Sequence, residues 1–313
     1  MINFSIPGTG SSGHLGGGMI LAILLGPHAA FLVIASVLSV QALFFADGGL
    51  LALGCNIFNL GVFPAFIAYP LIYKPIAGDA QGGSRLWLGA LLAGIVGLQM
   101  GAFSVVMETT LSGIADLPFE TFVWLMQPIH LAIGVVEGLA TAAVVSLVLR
   151  VRPEALPDCR ATMEDAADAG GTPALLEMRP DRRVVIGLLI AAVAVGCGLS
   201  WFASTRPDGL EWAVGRTSGK EELASPRGVI PESLAKIQQK TAVLPDYGFK
   251  SAQPGAATAE LTPAEPAAGV GTSVAGLVGG LMTLLLAGLI GYGLKRRAAA
   301  SSRREKSHTD GIQ

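Results

Sequence analysis

"TFVWLMQPIHLAIGVVEGLATAAVVSLVL", residues 121–149, is an apolar run whose only ionisable side chains are His130 and Glu137. About 20 apolar residues in a helix cross the roughly 30 Å hydrocarbon layer of a bilayer, and this run exceeds that length. It therefore reads as a membrane-spanning helix. An ionisable group inside a span is costly and is expected to face protein rather than lipid. His130 and Glu137 stand seven positions apart, on one helical face and two turns from each other. They read either as a polar relay that gates an ion or as interior anchors that fix helix packing.

The rest of the chain repeats this pattern. Of its 313 residues 51% are hydrophobic and only 14% charged, with a mean hydropathy of +0.58. Soluble domains carry about 25% charged residues. Further runs without Asp, Glu, Lys or Arg cover 28–46, 48–73, 86–107, 184–204 and 270–294. A short helical piece near 17–25 precedes them, separated by Gly26-Pro27. These runs predict an all-α polytopic membrane protein with about six transmembrane helical segments. Cys55, Cys159 and Cys197 have no CxxC spacing, which argues against a zinc or disulfide framework. Cys55 and Cys197 lie in apolar runs and are expected to be small buried hydrophobes.

Two hydrophilic segments interrupt the spans. Residues 151–183 have the composition of a linker, rich in both charge signs with Pro, Gly and Ala. Residues 205–269 set aromatic residues among turn formers, as in "WFASTRPDGLEW" and "LPDYGFK", and predict one small ordered appendage followed by an Ala/Pro tether near 251–268. Arg150, Arg152, Arg182 and Arg183 flank the linker, and Lys295, Arg296 and Arg297 open a basic tail at 295–313. By the positive-inside rule both regions are expected in the cytoplasm, with 205–269 and the His14 loop outside. "MINFSIPG" at the start reads like the outer end of a helix that has already crossed.

"TGSSGHLGGG", residues 9–18, places His14 in a glycine-rich loop, where it is either a ligand or a solvated side chain. His28, after Gly26-Pro27, is expected to be structural or incidental. Gln41, Asn56, Asn59 and Gln99 are neutral polar groups in spans, suited to interhelical hydrogen bonds. Asp47 and Glu108, at the outer ends of spans, are placed to draw cations towards a mouth, and Asp47 is equally suited to cap a helix. "PDGLE", Pro207 to Glu211, reads as a turn centred on Asp208 and Gly209, with a metal role for Asp208 and Glu211 as the rival reading. Gly276, Gly279, Gly280 and Gly288 give the last span a surface for close helix contact.

The stretch from "INFSIPGTGSSGHLGGGMILAILLGPHAAF" to "GVFPAFIAYPLIYK", continued by "QPIHLAIGVVEGLATA", closely resembles the CbiM/NikM family over residues 2–150. These are the substrate-specific membrane components of energy-coupling-factor transporters for cobalt and nickel. The segment from "SWFASTRPDGLEW" to "GTSVAGLVGGLMTLLLAGLIGYGL" resembles the PDGLE module, a CbiN/NikN-like auxiliary component. The resemblance implies a metal-binding core over 1–150 and a fused module over 184–294 with two transmembrane helices.

It also implies a metal site built from a free amino terminus, a histidine at position two and a loop histidine that maps onto His14. Nitrogen donors of that kind suit nickel(II) and related cobalt(II) sites. Ile2 stands where the family has its second-position histidine, so the expectation is that the first part of the family's core, with its N-terminal ligands, lies upstream of this chain. Asn56, Asn59, His130 and Glu137 are then candidates for a supporting shell or relay.

The implied function is substrate capture in an importer of Co2+ or Ni2+ in the cell inner membrane, with the ion as transported ligand and no permanently bound cofactor. The chain has no GxxxxGK[ST] motif, so ATP hydrolysis is expected from separate ATPase subunits, coupled by a transmembrane scaffold subunit. Lipid is an expected partner and nucleic acid is not. The rival readings are an intramembrane enzyme using His130 and Glu137, and a membrane sensor using the extracytoplasmic segment.

Overall fold

The computed structural model describes residues 3–78, 83–113, 117–153, 156, 182–198, 201, 203–204, 206–219, 228–249 and 268–310. It opens with an antiparallel hairpin of β1 (Asn3–Ser5) and β2 (Ser12–His14), in which Asn3 pairs with His14 and Ser5 with Ser12. Asn3–Ser5 are thus extended, and among the described residues of "MINFSIPG" no helix end is found. Strands of three residues carry too little alternation to be told from a loop in sequence.

Helix α1 (Gly18–Leu25) follows, and at eight residues is about 12 Å long, too short to cross a bilayer. Gly26, with φ 81°, ends it, and Pro27 opens the next helix, where a missing N–H costs nothing. Four long helices then form the core: α2 (Pro27–Phe45), α3 (Leu50–Ala77), α4 (Ser84–Ser112) and α5 (Phe119–Val151). Helix α3 is π-helical over Phe58–Tyr73, where Pro64 and Pro70 remove backbone donors that a regular α-helix would use. Helices α4 and α5 approach through glycines: a Cβ at Gly138 would lie 2.6 Å from Leu91 Cα, and one at Gly94 2.9 Å from Gly138 Cα. Small residues give such contacts in membranes, where no hydrophobic force drives helices together. Gln99 Nε2 donates to Gln127 O at 2.8 Å across the same interface, as the sequence suggested.

The second part of the chain consists of α6 (Arg182–Val193, continued by π-helical Ala194–Gly198), α7 (Gly209–Ser218), α8 (Val229–Thr241), a short 3-10 turn at Pro245–Tyr247 and α9 (Ala268–Asp310). Among the described residues five helices are long and apolar enough to span, namely α2 to α5 and the Val270–Arg297 part of α9, while α6 adds a shorter apolar stretch, Leu189–Gly198. The chain is an all-α polytopic membrane protein. The basic tail continues α9 rather than leaving it. Most of the expected linker, and the tether over 251–267, lie outside the described residues.

Helix α9 lies against both α6 and α2. A Cβ at Gly276 would meet Gly196 O at 2.8 Å, and one at Gly279 would meet Phe45 Cε2 at 2.8 Å. The glycine surface read from sequence is used at these two positions, while Gly280 and Gly288 face open space. His28 packs edge-on against Phe66 with ring centroids 5.5 Å apart, a structural role as expected. Cys55 is exposed, against the expectation of burial. An apolar run identifies a span but not which of its faces looks outward.

Candidate metal-capture site

The His14 hairpin is sunk into the helix bundle rather than lying on it. Ile6 is buried with Ile129 and Ile133 of α5, and Phe4 packs on that cluster. Gly13 is fixed by this approach, because a Cβ there would lie 2.6 Å from Ile133 Cγ1. After His14 the chain reaches Gly17, whose φ of 72° is left-handed and turns the backbone into α1. Gly13 and Gly17 thus account for two of the loop's glycines. One admits the neighbouring helix, and the other makes the turn.

The turn is held from below by Glu137. Its side chain is only 4% exposed, and its Oε2 accepts the backbone N–H of Gly16 at 2.9 Å. The carboxylate lies at the start of α1, within electrostatic reach of the Gly17 and Gly18 amides, where the positive end of the helix dipole favours a negative charge. A residue 121 positions away in sequence therefore fixes the loop that carries His14. His14 itself is half-buried and within electrostatic reach of both Glu137 and His130.

His130, two turns from Glu137, bonds its own helix: Nδ1 meets the Met126 carbonyl at 2.8 Å. A carbonyl only accepts, so Nδ1 carries the proton in the neutral ring and Nε2 carries the lone pair. The Cε1–Nε2 edge faces the start of α7. A Cβ at Gly209 would lie 2.8 Å from Ile129 Cγ2 and 3.1 Å from His130 Cε1.

The "PDGLE" segment is thus seated on the hairpin. Ser12 N donates to Pro207 O at 2.8 Å, Ser12 Oγ to Arg206 O at 2.9 Å, and Trp212 Nε1 to Thr9 O at 2.9 Å. Its acidic residues build a capping box. Asp208 Oδ1 accepts from Leu210 N and Glu211 N, both at 2.8 Å, while Glu211 Oε2 accepts from Asp208 N at 3.0 Å. The turn expected from sequence is a helix start, and helix capping accounts for both acidic residues.

A second dock lies at the end of α2. Tyr247 Oη donates to Asp47 Oδ2, while Gln41 Nε2 donates to Tyr247 Oη at 2.9 Å and to Asp47 Oδ2 at 3.2 Å. Burial, with the Asp47 carboxylate beside it, pushes the Tyr247 phenol above the ordinary tyrosine range. Asp47 therefore anchors the appendage and does not cap a helix.

Of the residues singled out in sequence, the structure gathers His14, His130, Glu137 and Asp208 around the hairpin. It draws Asn56 and Asn59 away from it. Asn59 Nδ2 donates to Glu108 Oε2 at 2.9 Å, and the Asn56 amide lies against Gly48, 3.1 Å from where a Cβ would be. Their shared face is used for helix ends, not for the His14 loop. Among the described residues no three His, Cys, Asp or Glu side chains converge in metal-holding geometry. Ile2 and Met1, on which the expected N-terminal ligands turn, lie outside the described residues.

Comparison with known proteins follows the same division. The family model described as "Cobalt uptake substrate-specific transmembrane region" matches residues 1–155, and the model described as "PDGLE domain" matches 182–296. The fused nickel transport protein NikMN of Rhodobacter capsulatus is 32% identical over 265 residues, covering 79% of this chain and 73% of that one. A relative from Archaeoglobus fulgidus, also named as a fused NikMN, is 29% identical over 298 residues, covering 95% of this chain and 82% of that one. The cobalt transport protein CbiM of Sorangium cellulosum is 28% identical over 155 residues, covering 48% of this chain and 67% of its own. No solved structure matches the chain.

Proposed function

We propose, on the premise that this chain belongs to the CbiM/NikM family of cobalt and nickel transport proteins and carries a fused PDGLE module, that it is the substrate-capture component of an energy-coupling-factor importer for Co2+ or Ni2+. The observation that carries the reading is the junction of the two parts: the PDGLE segment is hydrogen-bonded to the strand that ends in His14, and Glu137 holds the turn beyond it. In this reading the His14 imidazole is the chain's own donor to the ion. Glu137 positions the loop, and His130 Nε2 lies beside the covering turn.

Imidazole nitrogen suits both ions, but affinity depends on several nitrogen donors held in fixed geometry. The family resemblance assigns the further donors to an amino terminus and a second-position histidine. The power stroke is then external to the chain, supplied by ATPase subunits through a transmembrane scaffold subunit. Lys74, Arg85, Arg150 and Arg152 lie at the bundle end opposite the appendage, which supports a cytoplasmic position for that end and for the C-terminus. The segment 184–294 acts as a docking module rather than as part of the bundle, and the host membrane is the inner one.

The test is accumulation of radioactive nickel and cobalt in cells with and without the gene and its partner subunits. Expression is expected to raise accumulation of one ion or both. His14→Ala should return it to background without lowering the amount of protein in the membrane. Unchanged accumulation by the His14→Ala variant would overturn the site.

A further inference from the structure

Helix α8 (Val229–Thr241) lies where three of the spanning helices begin or end. Gln238 Nε2 donates to Ala42 O at 3.0 Å and to Gly48 O at 2.8 Å, which ties α8 to the end of α2. The helix also packs against Leu50–Ala52, the first turn of α3. The turn that follows meets α9, because a Cβ at Gly271 would lie 3.0 Å from Tyr247 O. Just past α8 the chain dips further, and Leu244 is buried with Val40 and Ala275, both inside spanning segments. Trp201 marks the same level. Its Nε1 bonds Ser273 Oγ at 2.8 Å near the start of the α9 span while its ring is exposed, a position that indole favours at a membrane boundary. These contacts fix α8 at the edge of the hydrocarbon layer, at the appendage end of the bundle.

The two flanks of α8 differ. With Gln238 on the docked face, Ile230 and Ile237 fall together on one flank, seven positions apart, and Leu234 lies between them and the dock. Ile230 is 69% and Ile237 47% exposed, although both are apolar. Val243, one residue before the buried Leu244, is 65% exposed. The opposite flank carries Glu232 and Gln239, and Lys236 and Lys240 stand four apart on the face turned from the dock. Beyond the dock, Leu51 and Phe58 continue the exposed apolar surface down α3 into the span.

We propose that α8 is an interfacial helix whose Ile230–Ile237 flank sits among the acyl chains of the leaflet at the appendage end, with Lys236 and Lys240 at the level of the lipid phosphates. Depth selects lipid as the occupant: the flank is held level with the ends of α2, α3 and α9 and is continuous with a surface that already faces the bilayer. The seat holds the appendage to the membrane beside its Asp47–Tyr247 anchor, and it is independent of which ion the chain carries.

The test uses the full chain with Cys55, Cys159 and Cys197 replaced by Ala, in nanodiscs of phosphatidylcholine. A single cysteine is introduced by Ile237→Cys, Ile230→Cys or Lys236→Cys and labelled with an NBD fluorophore. Quenching is read with lipid brominated on its acyl chains and, separately, with iodide in the water. Probes at 230 and 237 are expected to lose at least about half of their emission to brominated lipid, and to be at least about threefold less sensitive to iodide than the probe at 236. Quenching by iodide alone at either 230 or 237 would overturn the seat, because that flank would then lie in water. Protection from both quenchers would overturn it as well, because protein, from a second copy or a partner, would then cover the flank.

Discussion

Glu137 and Glu108 are both carboxylates within membrane-spanning helices, and they are held in opposite ways. Glu137 is closed off, its carboxylate accepting the backbone N–H of Gly16, a donor that cannot rotate away. Glu108 is held by an amide and a hydroxyl, both on side chains that can turn. A carboxylate satisfied by backbone is a fastener, and removing it leaves buried orphan donors. A carboxylate satisfied by rotatable neutral groups is held only as firmly as those side chains are. The molecule uses the first kind to fix its histidine loop, and the second to join two helices.

The sharpest break of this contrast is expected from Glu137→Ala. Each buried N–H left without an acceptor costs about 1–3 kcal/mol, so the loop should leave its position and metal accumulation should fall at least about tenfold. Glu137→Gln keeps an accepting oxygen and should retain a measurable part of it. Glu108→Gln, by contrast, keeps an accepting oxygen for Asn59 and should leave accumulation nearly unchanged. Equal losses from Glu137→Ala and Glu108→Gln at all metal concentrations would erase the distinction.

The Gly13 contact offers a second test. Gly13→Val places new atoms where Ile133 Cγ1 would be 2.6 Å from Cβ. Overpacking of this kind costs about 1–3 kcal/mol, seen as faster proteolysis of the hairpin and reduced accumulation. Adding Ile133→Ala should restore part of both. No recovery in the double variant would mean that Phe4 Cζ, 3.1 Å from the same Cβ, sets the requirement rather than Ile133.

How much of this was legible in sequence depends on the distance between the partners. The apolar runs marked the long helices, because a span needs only its own residues to be recognised. The shared face of His130 and Glu137 followed from seven-residue spacing. What Glu137 holds did not, because its partner is a backbone amide more than a hundred positions away with no side-chain signature. The capping box at Asp208 and Glu211 was written locally and was read only as a turn. The hairpin was too short to show a period. Asn59 makes the interhelical hydrogen bond its place in a span suggested, to Glu108, but spacing along a helix does not say which helix it will meet, so its partner was not legible.

A smaller effect is expected where the appendage touches the hairpin. Trp212→Phe keeps the ring but loses the bond from Nε1 to Thr9 O, worth about 1 kcal/mol. Cross-linking between cysteines placed at Ser5 and Ser204, whose hydroxyls are 2.9 Å apart, should form readily in the parent and less completely in this variant. An undiminished yield would show that Trp212 does not hold the PDGLE segment in place.

The smallest effect belongs to Tyr247. Its phenol is raised by burial and by Asp47, so it favours the docked state fully below the ordinary tyrosine value of about 10 and loses that contribution as pH rises above it. Docking should therefore be independent of pH near neutrality and weaken only in strong alkali. Tyr247→Phe should flatten that alkaline loss. A dependence near pH 7 that survives Tyr247→Phe would point to another group.

The central claim is that the Glu137 carboxylate fixes the loop carrying His14, and amide hydrogen exchange of residues 9–25 tests it most directly. In the parent chain the Gly16 amide should be strongly protected, and Glu137→Ala should release it to rapid exchange while the α4 and α5 helices stay protected. Unchanged protection of that amide in the Glu137→Ala variant would contradict the account.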